Sequence, residues 1–204
     1  GDFNIARKKE DLSGFMHQKI AFQIGARYNL QYLHHNLKFL AEYNNVRPYT
    51  YSHRRPFQKY THYNQALAHP LGANFSELLF LARYRLKRWE IDGKIIFAKY
   101  GGKKLDDPTS YGNDLFESTG NFEEPNGFIY SGRPSDFGIK MYQGNLSKLS
   151  YQSINLAYLL NPHTNLKFQL GIVFRNFQDQ EIELKTQMIT FGIKSDLFNN
   201  YYDF

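Results

Sequence analysis

The sequence predicts an all-β protein, and more narrowly a transmembrane antiparallel β-barrel to which the chain contributes about seven long strands. Three observations predict it. Apolar and polar residues alternate with period two through seven segments, each longer than the roughly 5 to 6 residues usual in soluble strands. The connections between segments alternate between short and long, as they do in bacterial barrels. The composition is 42% hydrophobic and 17% aromatic, with 16 Tyr and 18 Phe, yet the mean hydropathy is only -0.58. A spanning strand needs an apolar residue at every second position only, so a membrane wall can carry an apolar face and still average as polar.

In the first segment Ile20, Phe22, Ile24, Ala26, Tyr28 and Leu30 share one face, and Lys19, Gln23, Arg27 and Asn29 the other. The second sets Leu37, Phe39, Ala41 and Tyr43 against Lys38, Glu42 and Asn44, and the third sets Leu78, Phe80, Ala82, Tyr84 and Leu86 against Arg83, Arg85 and Lys87. The fourth, from about Ile91 to Tyr100, has no legible parity because Ile95 and Ile96 are adjacent and Phe97 precedes Ala98. The fifth places Ile154, Leu156, Tyr158 and Leu160 opposite Ser153 and Asn155. In the sixth, Leu166, Phe168, Leu170, Ile172 and Phe174 oppose Lys167, Gln169 and Arg175. The seventh alternates Ile189, Phe191, Ile193 and Leu197 with Thr190, Lys194 and Asp196.

Short connections are expected at residues 31–36, near Arg88-Trp89 and at 161–164. Long ones are expected at about 47–74 and 101–148. If the C-terminus is periplasmic, every short connection falls inside and every long one outside. Tyr28, Tyr84 and Tyr158 would then belong to a periplasmic aromatic girdle and Tyr43 to the outer one, since Tyr favours the membrane boundary. The competing reading is a soluble β-sandwich, which also alternates. Seven is an odd strand number and barrels of this type have an even one, so residues 1–204 read as the C-terminal part of a single larger barrel.

No stretch approaches the ~18 to 20 apolar residues of a membrane-spanning helix. The start, Gly1-Asp2-Phe3-Asn4, carries neither a basic nor an apolar leader region. With no Cys, thiol nucleophiles, thiolate metal sites and disulfides are excluded together. The net charge of +6 suggests anionic partners. Nucleic acid is a poor fit, because the basic residues lie on strands whose opposite faces look lipid-like.

On the wettable faces Lys19, Arg27, Lys38, Arg83, Arg85, Lys87, Lys167, Arg175 and Lys194 stand against Glu42 and Asp196, which predicts a positive lumen with Arg27, Arg83, Arg85, Lys167 and Arg175 as its clearest members. The alternative is that these charges merely pair with acidic residues on barrel strands outside this chain. In the first long loop Tyr49, Tyr51, His53, Arg54, Arg55 and Tyr63 form the candidate ligand site. Aromatic faces stack on sugar rings, and Arg forks bind carboxylate or phosphate. His53, His62 and His69 lack the paired spacing of a zinc motif, so no metal is expected there. Asp106, Asp107, Asp114, Glu117, Glu123 and Glu124 in the second loop lack a calcium-loop pattern and read as solvated. No cofactor and no catalytic residue is expected.

Arg47-Pro48-Tyr49-Thr50-Tyr51-Ser52-His53, His62-Tyr63-Asn64-Gln65, Leu67 to Asn74 and the ending Asn200-Tyr201-Tyr202-Asp203-Phe204 resemble an outer-membrane family of Bacteroidetes. The likeness is to the RemB-like gliding-motility proteins, distantly similar to Wzi-type capsule-assembly barrels, and it runs from about residue 15 onward. The resemblance implies a non-enzymatic barrel at the bacterial surface, tied to gliding motility, adhesion or capsule organisation. Its partners would be outer-membrane lipid, an anionic surface polysaccharide or other motility-complex proteins. Phe204 resembles the terminal aromatic read during barrel insertion. A porin-like channel or an accessory subunit of a secretion complex is the alternative expectation.

Overall fold

The computed structural model describes residues 14–52, 61–62, 65–104, 107, 109–116, 122–123, 129–130, 132, 134–135 and 137–195. Among them the chain forms no helix and seven long strands: β1 Ala21–Tyr32, β2 His35–Val46, β3 Phe75–Leu86, β4 Trp89–Gly102, β5 Asn145–Asn161, β6 Leu166–Gln178 and β7 Glu183–Lys194. They join one antiparallel sheet in chain order, so every neighbour in sequence is a neighbour in space. Two short ladders, Thr61–His62 with Gln65–Ala66 and Phe122–Glu123 with Ile129–Tyr130, lie within the long connections.

The seven expected segments are the seven strands. The differences are at the ends. The last strand spans Glu183–Lys194 rather than running to Leu197, and Asp196 and Leu197, like Tyr201 to Phe204, lie outside the described residues. The first two short connections are two-residue turns, Leu33-His34 and Lys87-Arg88, in which Leu33 and Lys87 take positive φ values of 51° and 53°. Neither turn carries the Gly that usually marks such a geometry.

Strand pairing carries the parity of each strand to the next and resolves β4. Ile24 aligns with Tyr43, Tyr43 with Leu78, Leu78 with Phe97 and Phe80 with Ile95, so Ile91, Ile95 and Phe97 share the apolar face. Gly93 then aligns with Ile154, Ile154 with Ile172 and Ile172 with Ile189. One apolar face therefore runs unbroken across all seven strands. Leu160 is where the parity fails, at an irregularity opposite Leu166 and Lys167.

Nothing covers that face among the described residues. Phe22, Ile24, Ile154, Phe168, Phe174 and Ile193 are all exposed, and Phe191 keeps 81% of its surface. Phe22 to Leu30 is about 27 Å along the strand, and six strand spacings are about 29 Å, so the band covers roughly 800 Å². That exceeds the ~300 to 600 Å² typical of the largest patch on a soluble monomer. The sheet is open: β1 and β7 form its two edges.

The opposite face is polar and dished. A single trough of about 750 Å³ on it touches all seven strands, from Arg27 and Asn29 on β1 to Lys194 on β7. Among the described residues, large buried hydrophobic side chains occur only where the long connections fold back over the strand ends. Val46, Ala73 and Phe75 form one small core with Tyr51, Leu71 and Tyr100 packed on it, and Met16, Tyr49 and Ile139 form a second.

Candidate functional site

Two sets of residues were candidates, in the first long loop and on the polar face. Of the six loop residues, Tyr49 and Tyr51 are described, and neither is freely exposed. The Tyr49 ring is fully buried; its hydroxyl donates to the Ser110 carbonyl at 2.7 Å and its backbone N–H to the Gly112 carbonyl at 2.9 Å. A side chain on Gly112, at φ 76°, would collide with the Tyr49 backbone and ring, so glycine is required where the second loop crosses the first. Tyr49 is thus a buried structural residue, a correction to its expected place on a glycan surface. Tyr51 is half-buried against the Val46, Ala73 and Phe75 core. His53, Arg54, Arg55 and Tyr63 lie outside the described residues.

Two asparagines stitch the loops together, and neither stood out in the sequence. Asn74 is fully buried at φ 60°; its amide donates to the carbonyls of Gly101 at 3.0 Å and Gln143 at 2.9 Å, and its side-chain oxygen accepts from the Tyr142 N–H at 2.6 Å. Asn113 donates to the carbonyls of Leu71 and Ala73. Both satisfy backbone groups that burial would otherwise strand, at about 1 to 3 kcal/mol each. The result is a loop layer over the strand ends. His69 turns from it onto the polar face, stacking on Phe75 at 4.5 Å and reaching Glu77 at 2.9 Å. This commits one of the three histidines considered for metal binding.

Beside the layer, Asp107 accepts from the Thr109 N–H at 2.9 Å and the Tyr111 hydroxyl at 2.6 Å. These bonds, Thr109's first, hold its carboxyl down at about 2, and Asp107 pushes the Tyr111 phenol up to about 12. Asp107 therefore has hydrogen-bond partners of its own rather than being purely solvated. Lys19, just before β1, has its ammonium pulled below the ordinary lysine range by burial, where it donates to the Ser52 carbonyl.

The register sets Arg27, Arg83, Arg85, Lys167 and Arg175 on the polar face, and it adds what the unphased fourth strand concealed. Glu90 and Asp92 on β4 and Glu77 on β3 share this face, as does Lys94. Arg83 is paired with Asp92. Arg85 and Lys167 both reach Glu90, Arg85 through Nε at 2.9 Å and Lys167 at 3.1 Å. Glu90 is 8% exposed and held between these two cations, which compensates the burial of its charge. The expected excess of nine basic over two acidic residues is thus smaller, and three of the five named cations are paired within this chain, two of them sharing Glu90. Arg175 lies over the Phe177 ring at 5.6 Å.

Arg27, Lys38, Lys94 and Lys194 line the trough with Asn29, Asn155, Gln169 and the Arg83–Asp92 pair; among the described residues none of the four makes a direct salt bridge to a carboxylate, although Lys94 lies over the Tyr151 ring at 5.7 Å and acts on Glu77 through space. Gln169 donates to Asn155 at 3.1 Å across β5 and β6. The arrangement offers positive charge and amide hydrogen bonds on one dished wall.

Compared with protein-family models, with curated proteins and with solved structures, the chain shows no match.

Proposed function

We propose that the chain is the C-terminal wall of a transmembrane β-barrel in a bacterial outer membrane, with a non-enzymatic role at the surface in holding anionic polysaccharide or an adhesion or motility partner. The single observation that supports it is the uncovered apolar face of a one-layer sheet whose other face is charged. Two edges of twelve-residue strands left unpaired would invite aggregation in water, and in a lipid wall they would be closed by further strands.

The aromatic placement fits. Tyr84 receives or donates a 2.7 Å hydrogen bond with His35, and Trp89 packs edge-on against Tyr158 at 4.8 Å, all beside the short turns. At the other end of the same face stand Lys99, Lys148 and Lys185. An apolar band bounded by aromatics and then charge suits a membrane slab. The loop layer turns Tyr51, Leu71 and His69 over the polar face at its loop end, which favours a surface-binding role over an open channel.

The test of the surface role is the double variant Arg54→Ala/Arg55→Ala in correctly inserted protein. Each charge-assisted contact contributes about 1.5 to 3 kcal/mol, so polysaccharide retention should fall and lose much of its salt sensitivity. Unchanged retention would move the role to a protein partner.

A further inference from the structure

The ion pairs of the polar face sort its cations into two kinds. Arg83, Arg85 and Lys167 are occupied by Asp92 and Glu90. Arg27, Lys38, Lys94 and Lys194 make no direct ion pair among the described residues, Lys94 being only loosely engaged by the Tyr151 ring and, through space, by Glu77, and all four border the same trough. We propose that this trough is a binding site for a polyvalent oxyanion, an extended solute carrying several phosphate or carboxylate groups. This rests on the barrel reading above for its place inside the wall, but it is a different site from the loop, nearer the turn end of the polar face and with different residues.

The chemistry follows from where the cations stand. They are on β1, β2, β4 and β7, so on a flat sheet they would spread over about 29 Å, and even a dished one keeps them apart. A monovalent ion meets one or two of them. An extended anion with repeated charges meets them all, and each added contact removes a cation from an unneutralised site. Asn29, Asn155 and Gln169 line the trough among the cations and supply amide donors and acceptors for the uncharged parts of such a solute, and the one carboxylate of the lining, Asp92, is held by Arg83. The trough volume of about 750 Å³ falls inside the ~300 to 1,000 Å³ range of ligand sites. Its residues lie toward the short turns: Arg27 is aligned through Lys94 with Ser153, whereas Gln169 and Lys194 sit nearer the turn end. The loop layer covers the other end of this face over β2 to β4, where Tyr51, Leu71 and Tyr100 pack on Val46, Ala73 and Phe75, and leaves the trough itself uncovered.

The experiment is isothermal titration of the full-length protein in detergent micelles with phosphate, pyrophosphate and tripolyphosphate, and separately with trigalacturonate and the neutral sugar maltotriose. Affinity should rise by roughly tenfold with each added phosphate, fall with salt, and be undetectable for maltotriose. The triple variant Arg27→Gln/Lys38→Gln/Lys94→Gln should lose at least about tenfold in tripolyphosphate affinity. Lys99→Gln/Lys148→Gln/Lys185→Gln, matched in charge but on the apolar face, should lose less than about twofold. The trigalacturonate arm separates a carboxylate from a phosphate source, and binding of either supports the site. Equal affinity for phosphate and tripolyphosphate, equal losses in the two triple variants, or no binding of any anion would overturn it. Heat-modifiable migration of the same preparations is scored separately, so a failed site leaves the barrel reading standing and a failed barrel is recognised as such.

Discussion

At the loop end of the sheet Tyr49, Asn74 and Phe75 are wholly buried, whereas on β7 Ile189, Phe191 and Ile193 keep 71%, 81% and 71% of their surface. The two regions belong to one chain and solve the burial problem in opposite ways. The loop layer buries itself within the chain: backbone groups are paired by Asn74 and Asn113, and its aromatic and aliphatic side chains pack on each other and on the strand ends at Val46, Phe75 and Tyr100. The wall satisfies its backbone through the ladder and leaves its apolar surface to the surroundings. A hydrophobic face of that size is stable only where the medium itself is apolar or another surface covers it. The loops therefore depend on internal contacts and the wall on its environment.

The contrast is broken from the loop side by Asn74→Ala. It leaves two carbonyls and one N–H without their partner and places Ala at a left-handed backbone position, so the layer should lose about 3 to 5 kcal/mol. Limited proteolysis should then cut near residues 103–116 and 137–144 while β1 to β7 stay protected. Loss of strand protection together with the loops would mean the two regions are one cooperative unit. From the wall side the change is Ile172→Arg, in the middle of the apolar face. It should cost about 2 to 4 kcal/mol of membrane-inserted stability and leave the loop layer intact. A cost below about 0.5 kcal/mol would place Ile172 in water.

A smaller effect sharpens the comparison by pH. The Asp107 carboxyl titrates at about 2 in the folded loop against an ordinary value of 3.8. A depressed folded value means that the stabilisation is fully present above about pH 4 and is lost as pH falls toward 2. The Thr109 amide resonance should shift with a midpoint near pH 2, and Asp107→Asn should abolish that shift. A midpoint near 3.8 would show that the hydrogen bonds to Thr109 and Tyr111 do not persist in solution.

Much of the wall was legible because period-two alternation is a local signal, and β1, β2, β3, β5 and β6 carry it plainly. In β4 it was hidden by Ile96 and Ala98, which sit on the polar face beside Leu79 and Leu149 near the loop end, so both sides of that stretch are apolar. Losing one strand's parity also hid Glu90 and Asp92, and with them the reason Arg83, Arg85 and Lys167 are not free charges. The loop layer was illegible for another cause. Tyr49 meets Ser110 and Gly112, and Asn74 meets Gln143, across dozens of residues, and no local pattern announces such contacts. An aromatic residue in a polar loop looks like a sugar platform until the second loop is laid over it.

The central claim, that the apolar face meets lipid and the polar face does not, is tested most directly by site-specific fluorescent labels in reconstituted full-length protein. Labels at Phe22, Phe80 and Ile172 should be quenched by bromine-bearing acyl chains, and labels at Arg27 and Arg175 should respond only to aqueous iodide. The reverse pattern, or aqueous quenching at all five positions, would contradict a membrane wall and restore the soluble sheet.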